Sequence, residues 1–147
     1  MPITTKHGSI FDSRAQVLVC PVNCAGVMGK GLALEFKRRF PWMYEEYRAD
    51  CDKNFIVPGE VNWYLDFESM VCIACAATKL HWREASKHCW VSNCLREIAD
   101  TISETGDTYA IPQLGCGCGG LDWADVEPLY EKHLGGLDCD VEVWIYE

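Results

Sequence analysis

This 147-residue sequence predicts an α/β fold with a mostly parallel sheet covered on both faces. Three observations carry the prediction. Strand-like stretches alternate with stretches of helical period, the central strands are apolar almost throughout, and two glycine-rich turns each follow a strand.

The elements follow in chain order. Pro2 to His7 reads as a first strand, and Val17 to Val22 as a second in which every residue is apolar. From Lys30 to Phe40 the residues Leu32, Ala33, Phe36 and Phe40 recur at helical spacing. Pro41 ends that helix and opens another, which carries Met43, Tyr47 and Cys51 on one face. Val61 to Phe67 and Met70 to Thr78 read as two strands joined by a tight connection. A long helix covers Ala85 to Ser103, with Val91, Cys94, Leu95, Ile98 and Ile102 on its buried side and Gly106 as its stop. Tyr109 to Leu114 is a strand, Val126 to Leu134 a helix, and Val141 to Tyr146 the closing strand. No repeat, linker or low-complexity tract interrupts this pattern, so residues 1–147 are expected to form one domain.

Composition narrows the function classes. At 49% hydrophobic residues the chain can bury a core, yet no run of about 18 apolar residues marks a membrane span. No basic segment leads into an apolar core at the N-terminus, so no signal peptide is expected. Ten cysteines without such a signal point to reduced thiols and a cytoplasmic setting. Cys72 and Cys75 form a C-x-x-C inside a strand, where positions three apart face opposite ways, and Cys116 and Cys118 lack a second spaced pair. Neither metal nor cofactor is expected. A net charge of −9 argues against a broad nucleic-acid-binding surface, but not against a local grip at one site.

The glycine-rich turns are the first pointed feature. Val22-Asn23-Cys24-Ala25-Gly26-Val27-Met28-Gly29-Lys30-Gly31 opens a helix, and Leu114-Gly115-Cys116-Gly117-Cys118-Gly119-Gly120 follows a later strand. Two such loops present backbone N–H groups to an anion from two sides, which suits a diphosphate. The first lacks the G-x-x-x-x-G-K-[ST] pattern, and the second spells G-x-G-x-x-G too far from a helix for a dinucleotide fold. A third strand exit, Thr78 to Arg83, completes a cluster of chemically pointed loops where ligands bind in such sheets.

These segments resemble the macrodomain family. The match runs through Asn23 to Ala33 with Phe36 and Phe40-Pro41, then Thr78-Lys79-Leu80-His81-Trp82-Arg83, then Pro112 to Trp123. It is most similar to the DarG antitoxin branch and its terminal ADP-ribose glycohydrolase relatives. The resemblance implies a three-layer α/β/α fold with a mixed, mostly parallel central sheet that binds ADP-ribose. It also implies removal of ADP-ribose from thymidine in single-stranded DNA, opposite a DarT-like toxin. A monomer is expected, with no membrane partner.

The resemblance assigns ADP-ribose contacts to Gly26, Val27, Met28, Gly29, Lys30 and Gly31 in the first loop. In the second it assigns them to Leu114, Gly115, Cys116, Gly117, Cys118 and Gly119. Ser9, Ile10 and Phe11 fall at the adenine end, where the family usually has an aspartate in place of Ser9. Asn23 matches the asparagine that orients the distal ribose, although asparagine also suits a turn for local reasons. Lys79 matches a lysine nucleophile; a buried amine is favoured in its neutral form, and a plain strand-exit lysine is the alternative. His81, Trp82 and Arg83 are either an exposed loop or a platform on which an unpaired base stacks.

Asp122 is the third catalytic candidate. Pro128 suits a first helical turn, which makes Asp125 the better helix cap and frees Asp122 for chemistry. An ungapped match instead places the relatives' catalytic aspartate at Gly119. Two other functions fit the same residues: a phosphatase acting on ADP-ribose 1″-phosphate, and a non-catalytic ADP-ribose reader.

Overall fold

A computed structural model describes residues 3–146. In chain order it contains β1 (Ile3–His7), a 3-10 turn (Ile10–Asp12), β2 (Val17–Val22), α1 (Gly31–Arg39), α2 (Pro41–Asp52), β3 (Val61–Asp66) and β4 (Val71–Ala77). Then come α3 (His88–Thr105), β5 (Tyr109–Pro112), α4 (Trp123–Leu134) and β6 (Val141–Ile145). Pro2, expected to begin the first strand, lies outside the described residues. The six strands form one sheet in the order β1-β6-β5-β2-β4-β3, parallel except where β3 meets β4. That exception is the tight hairpin expected from sequence.

The period of two in the strands sorts their side chains into two cores. Val17 and Val19 of β2, Ala74 and Ala76 of β4, and Ile111 of β5 pack against Val91, Leu95 and Ile98 of α3 and Val126 of α4. Cys20 and Val22, with Ile73, Cys75 and Ala77, pack on the other side with Phe36 of α1 and Met43 and Tyr47 of α2. Each fully buried aliphatic side chain stabilises the fold by about 1.5–3 kcal/mol. Both faces of the central strands are covered, which makes the molecule a three-layer α/β/α domain. Cys72 and Cys75 enter opposite cores, so their sulfurs do not converge.

Helix boundaries differ from expectation where loops compete for the backbone. α3 begins at His88 rather than Ala85: Lys87 before it is extended, at φ −119° and ψ 142°, and the Ser86 N–H donates to the Gly119 carbonyl, 3.0 Å away, which ties this segment to the third loop. Its end follows expectation, with Gly106 left-handed at φ 72°. The hairpin turn is longer than the sequence suggested, running over residues 67–70 rather than 68–69, and Asp66 closes it by bonding Ser69 and the backbone of Glu68 and Met70. No helix among the described residues is long and apolar enough to cross a membrane.

Burial raises several acidic hydrogens well above their ordinary range. Burial pushes Cys24 and Cys116 up to about 11 and Tyr109 up to about 12. Their neutral forms are favoured in the fold, so the unfolded chain releases these protons first as pH rises. The urea midpoint, measured with a reductant present, is expected to hold from pH 7 to about 8.5 and to fall between about pH 9 and 11. A flat midpoint to pH 11 would contradict this.

Candidate functional site

Strands β2 and β5 are paired only at Val17↔Tyr109 and Leu18↔Ala110, and beyond that they part. The Val22 carbonyl accepts the Thr78 N–H on the β4 side. Alternation along a parallel strand therefore turns the position of Pro21, which has no N–H, toward β5. The chain also reverses direction across the sheet at this point: β5 leads out to β6, while β2 leads through α1 and α2 to β3. A cleft of about 1220 Å³ opens there, lined by Pro21, Pro112 and the three loops beyond β2, β4 and β5. The buried polar side chains among the described residues are Asn23, Thr78, Lys79 and Ser86, and all four line this cleft.

The first loop is braced from within and from behind. Asn23 donates through Nδ2 to the Val27 carbonyl at 2.8 Å, and its Oδ1 accepts from the N–H groups of Ala25 (2.9 Å) and Val27 (3.3 Å). Tyr47 of α2 donates to the Asn23 carbonyl at 2.7 Å, and Tyr44 to that of Gly26 at 3.0 Å. Gly26 sits at φ +82°, where a Cβ would fall 2.8 Å from Arg48 Cδ. The loop delivers the N-terminus of α1 to the cleft with no side chain capping it. Free N–H groups at a helix start, facing a cleft, form an anion site.

Lys79 joins the three loops. It is 8% exposed, and its ammonium donates to the Cys118 carbonyl at 2.7 Å and the Trp82 carbonyl at 3.3 Å. A buried charge requires such partners. Its own carbonyl accepts from the Cys24 thiol at 3.4 Å, and the Cys24 N–H donates to Leu80. Beyond it, Trp82 stacks on His81 with centroids 5.4 Å apart, and the Arg83 guanidinium lies 4.5 Å from the Trp82 ring centroid. Lys30, Lys79 and Arg83 give the cleft three cations against Glu35 and Asp122, a local reversal of the chain's acidic balance.

The third loop is shaped around an absent side chain. A Cβ on Gly119 would lie 2.4 Å from the Gly115 carbonyl oxygen and 2.4 Å from Ser86 Oγ. An aspartate cannot be accommodated there without moving backbone. Asp122 lines the cleft, but it is not free of structural duty. It caps α4, accepting the Ala124 N–H at 3.1 Å, and the helix starts at Trp123 rather than Val126. The expectation that Asp125 is the cap is thereby corrected. Pro128 lies inside the helix, and packing of Trp123 against Tyr130 at 5.0 Å accompanies the earlier start.

Of the residues singled out from sequence, the cleft gathers Asn23, Val27, Gly29, Lys30, Gly31, Lys79, Trp82, Arg83, Gly115 to Gly119 and Asp122. Gly26, Met28, Leu114 and His81 support its walls from outside the lining; Met28 and Leu114 are core residues. Ser9, Ile10 and Phe11 also lie outside the lining. Ser9 caps the 3-10 turn, Ile10 is buried, and Phe11 packs 4.8 Å from Phe36 under the Arg39 guanidinium. The sequence assigned no role to Thr78, Ser86 or Gln113, nor to Trp144 of β6 and Tyr146 just beyond it, all of which line the cleft. Trp144 is held by a bond from its Nε1 to Glu142, which also accepts from Ser13. Among the described residues no group of three or more His, Cys, Asp or Glu side chains can hold a metal ion.

The Macro domain family profile matches residues 19–130. The chain is 37% identical over 145 residues to a DNA ADP-ribosyl glycohydrolase of Thermus aquaticus, covering 96% of this chain and 40% of that protein. It thus spans about two fifths of that curated relative's length. Among solved structures it resembles the macrodomain of Thermus aquaticus DarG, with TM-score 0.87, 35% identity and coverage of 99% and 97% of the two chains. It also resembles Thermosipho africanus DarTG in complex with ADP-ribose, with TM-score 0.88, 34% identity and coverage of 94% and 40%.

The two aspartates at α4 are separable by stability. Asp122→Ala is expected to cost about 1 kcal/mol, the usual loss of an N-cap, and Asp125→Ala only a few tenths, both read by urea denaturation. The reverse order would restore Asp125 as the cap.

Proposed function

The chain belongs to the macro domain family, and from that premise we propose that it is an ADP-ribosyl glycohydrolase that removes ADP-ribose from thymidine in single-stranded DNA. The observation that carries this reading is Lys79, a buried amine set between two glycine-rich loops at the mouth of an anion-binding cleft. The N-terminus of α1 and the Gly115–Gly119 turn take the diphosphate, and the Asn23-braced loop encloses and orients the distal ribose. A reader needs the loops but has no use for a nucleophile.

The chemistry proceeds in two displacements. Lys79 leaves its carbonyl partners, gives up a proton, and attacks C1″ of the distal ribose. The bond from C1″ to the base breaks, and the base departs with the bonding pair and a proton. Water then releases the sugar from the lysine. No metal or cofactor enters. Acidic bulk charge keeps DNA off the rest of the surface, and the Trp82–Arg83 stack supplies planar groups for an unpaired base. A hydrolase of this kind works opposite a transferase that installs the modification, in the cytoplasm and as a monomer.

Lys79→Ala is expected to lower release of ADP-ribose from a modified thymidine oligonucleotide on the order of 1,000-fold while the protein remains folded. Full activity in that variant would remove the lysine from the mechanism. Trp82→Ala is expected to raise KM for the oligonucleotide about 5- to 150-fold, the equivalent of one lost stack, while the calorimetric Kd for free ADP-ribose stays unchanged. Equal losses on both ligands would show that Trp82 serves the ADP-ribose pocket rather than DNA.

A further inference from the structure

Asn23 and Lys79 have evident work among the four buried polar side chains of the cleft; Thr78 and Ser86 do not. Thr78 is 2% exposed and Ser86 5%, and both line the cleft. Their hydroxyl oxygens are 3.5 Å apart, the far limit of contact and well beyond the usual 2.7–2.8 Å of a firm O–H···O bond. Each therefore keeps donor and acceptor capacity for a third oxygen between them. The pair brackets the lysine: Thr78 precedes Lys79 in the chain, and the Ser86 N–H holds Gly119, the neighbour of the Cys118 carbonyl that binds Nζ. No side chain at position 119 can intrude, because the Ser86 hydroxyl fills that space.

We infer that Thr78 and Ser86 are positioning residues that hold the water which discharges the lysine adduct. This rests on the lysine chemistry proposed above. The water oxygen bonds to C1″, the C1″–Nζ bond breaks, and its electron pair returns to Nζ. The proton lost by the water passes through the two hydroxyls to that nitrogen, which restores the amine.

Multiple-turnover kinetics with excess ADP-ribosylated thymidine oligonucleotide separate the two steps. In Ser86→Ala and in Thr78→Val the first turnover of freed oligonucleotide is expected at the wild-type rate, followed by a steady state slowed on the order of 100-fold. Acid-quenched Ser86→Ala should carry one ADP-ribose on the Lys79 peptide, and Thr78→Ser, which keeps the hydroxyl, should restore the steady state. Slowing of both phases together, or of neither, in these variants overturns the inference and leaves the pair as loop packing. Lys79→Ala run in parallel identifies the fault: if it is inactive, only the water site has failed. If it still turns over, the nucleophile reading has failed and takes this inference with it.

Discussion

The parting of β2 and β5 is the constraint on which the rest of the site depends. A parallel sheet with helices on both faces has nowhere to admit a ligand unless two neighbouring strands separate at their carboxyl ends. Here they separate after the Leu18↔Ala110 pair, and three residues further on Pro21 offers no N–H toward β5. The separation coincides with the reversal of strand order, so the loops beyond β2 and β5 diverge to opposite faces and leave a crevice between them. A backbone that cannot donate thus becomes the floor of a polar site.

That crevice stays organised because one buried cation cannot be left unpartnered. The Lys79 ammonium is satisfied by carbonyls of its own loop and of the Gly115–Gly119 turn, while its backbone carbonyl takes the Cys24 thiol from the first loop. Burial holds that thiol protonated through neutral pH, so the tie persists under ordinary conditions. Tyr44 and Tyr47 anchor the first loop to α2 from the opposite side. The same lysine that fits the proposed chemistry is therefore the fastener of the resting cleft, and ligand binding must compete with its carbonyl bonds.

Much of this was legible in the sequence because it is local. Apolar runs such as Val17–Val22, the helical spacing of Val91, Cys94, Leu95 and Ile98, and the glycine at 106 each declare their element within a short window. The glycine turns and the basic-aromatic Lys79–Arg83 exit were legible for the same reason. Trp144 and Tyr146 were not, since only the sheet order brings β6 beside β5 and its exit beside the cleft. Thr78 and Ser86 look ordinary in sequence and become notable only when both are found buried. Asp122 was misread because a proline at 128 suggested a helix start near Val126, whereas capping by Asp122 and the Trp123–Tyr130 contact favour a start at Trp123, three residues earlier.

The central claim is that this cleft breaks a glycosidic bond rather than merely holding ADP-ribose. Mass spectrometry of an ADP-ribosylated thymidine oligonucleotide incubated with the wild-type protein measures that directly. Free ADP-ribose and unmodified oligonucleotide are expected to appear in equal amounts over many turnovers. An oligonucleotide left intact by a protein that still binds ADP-ribose stoichiometrically would contradict it.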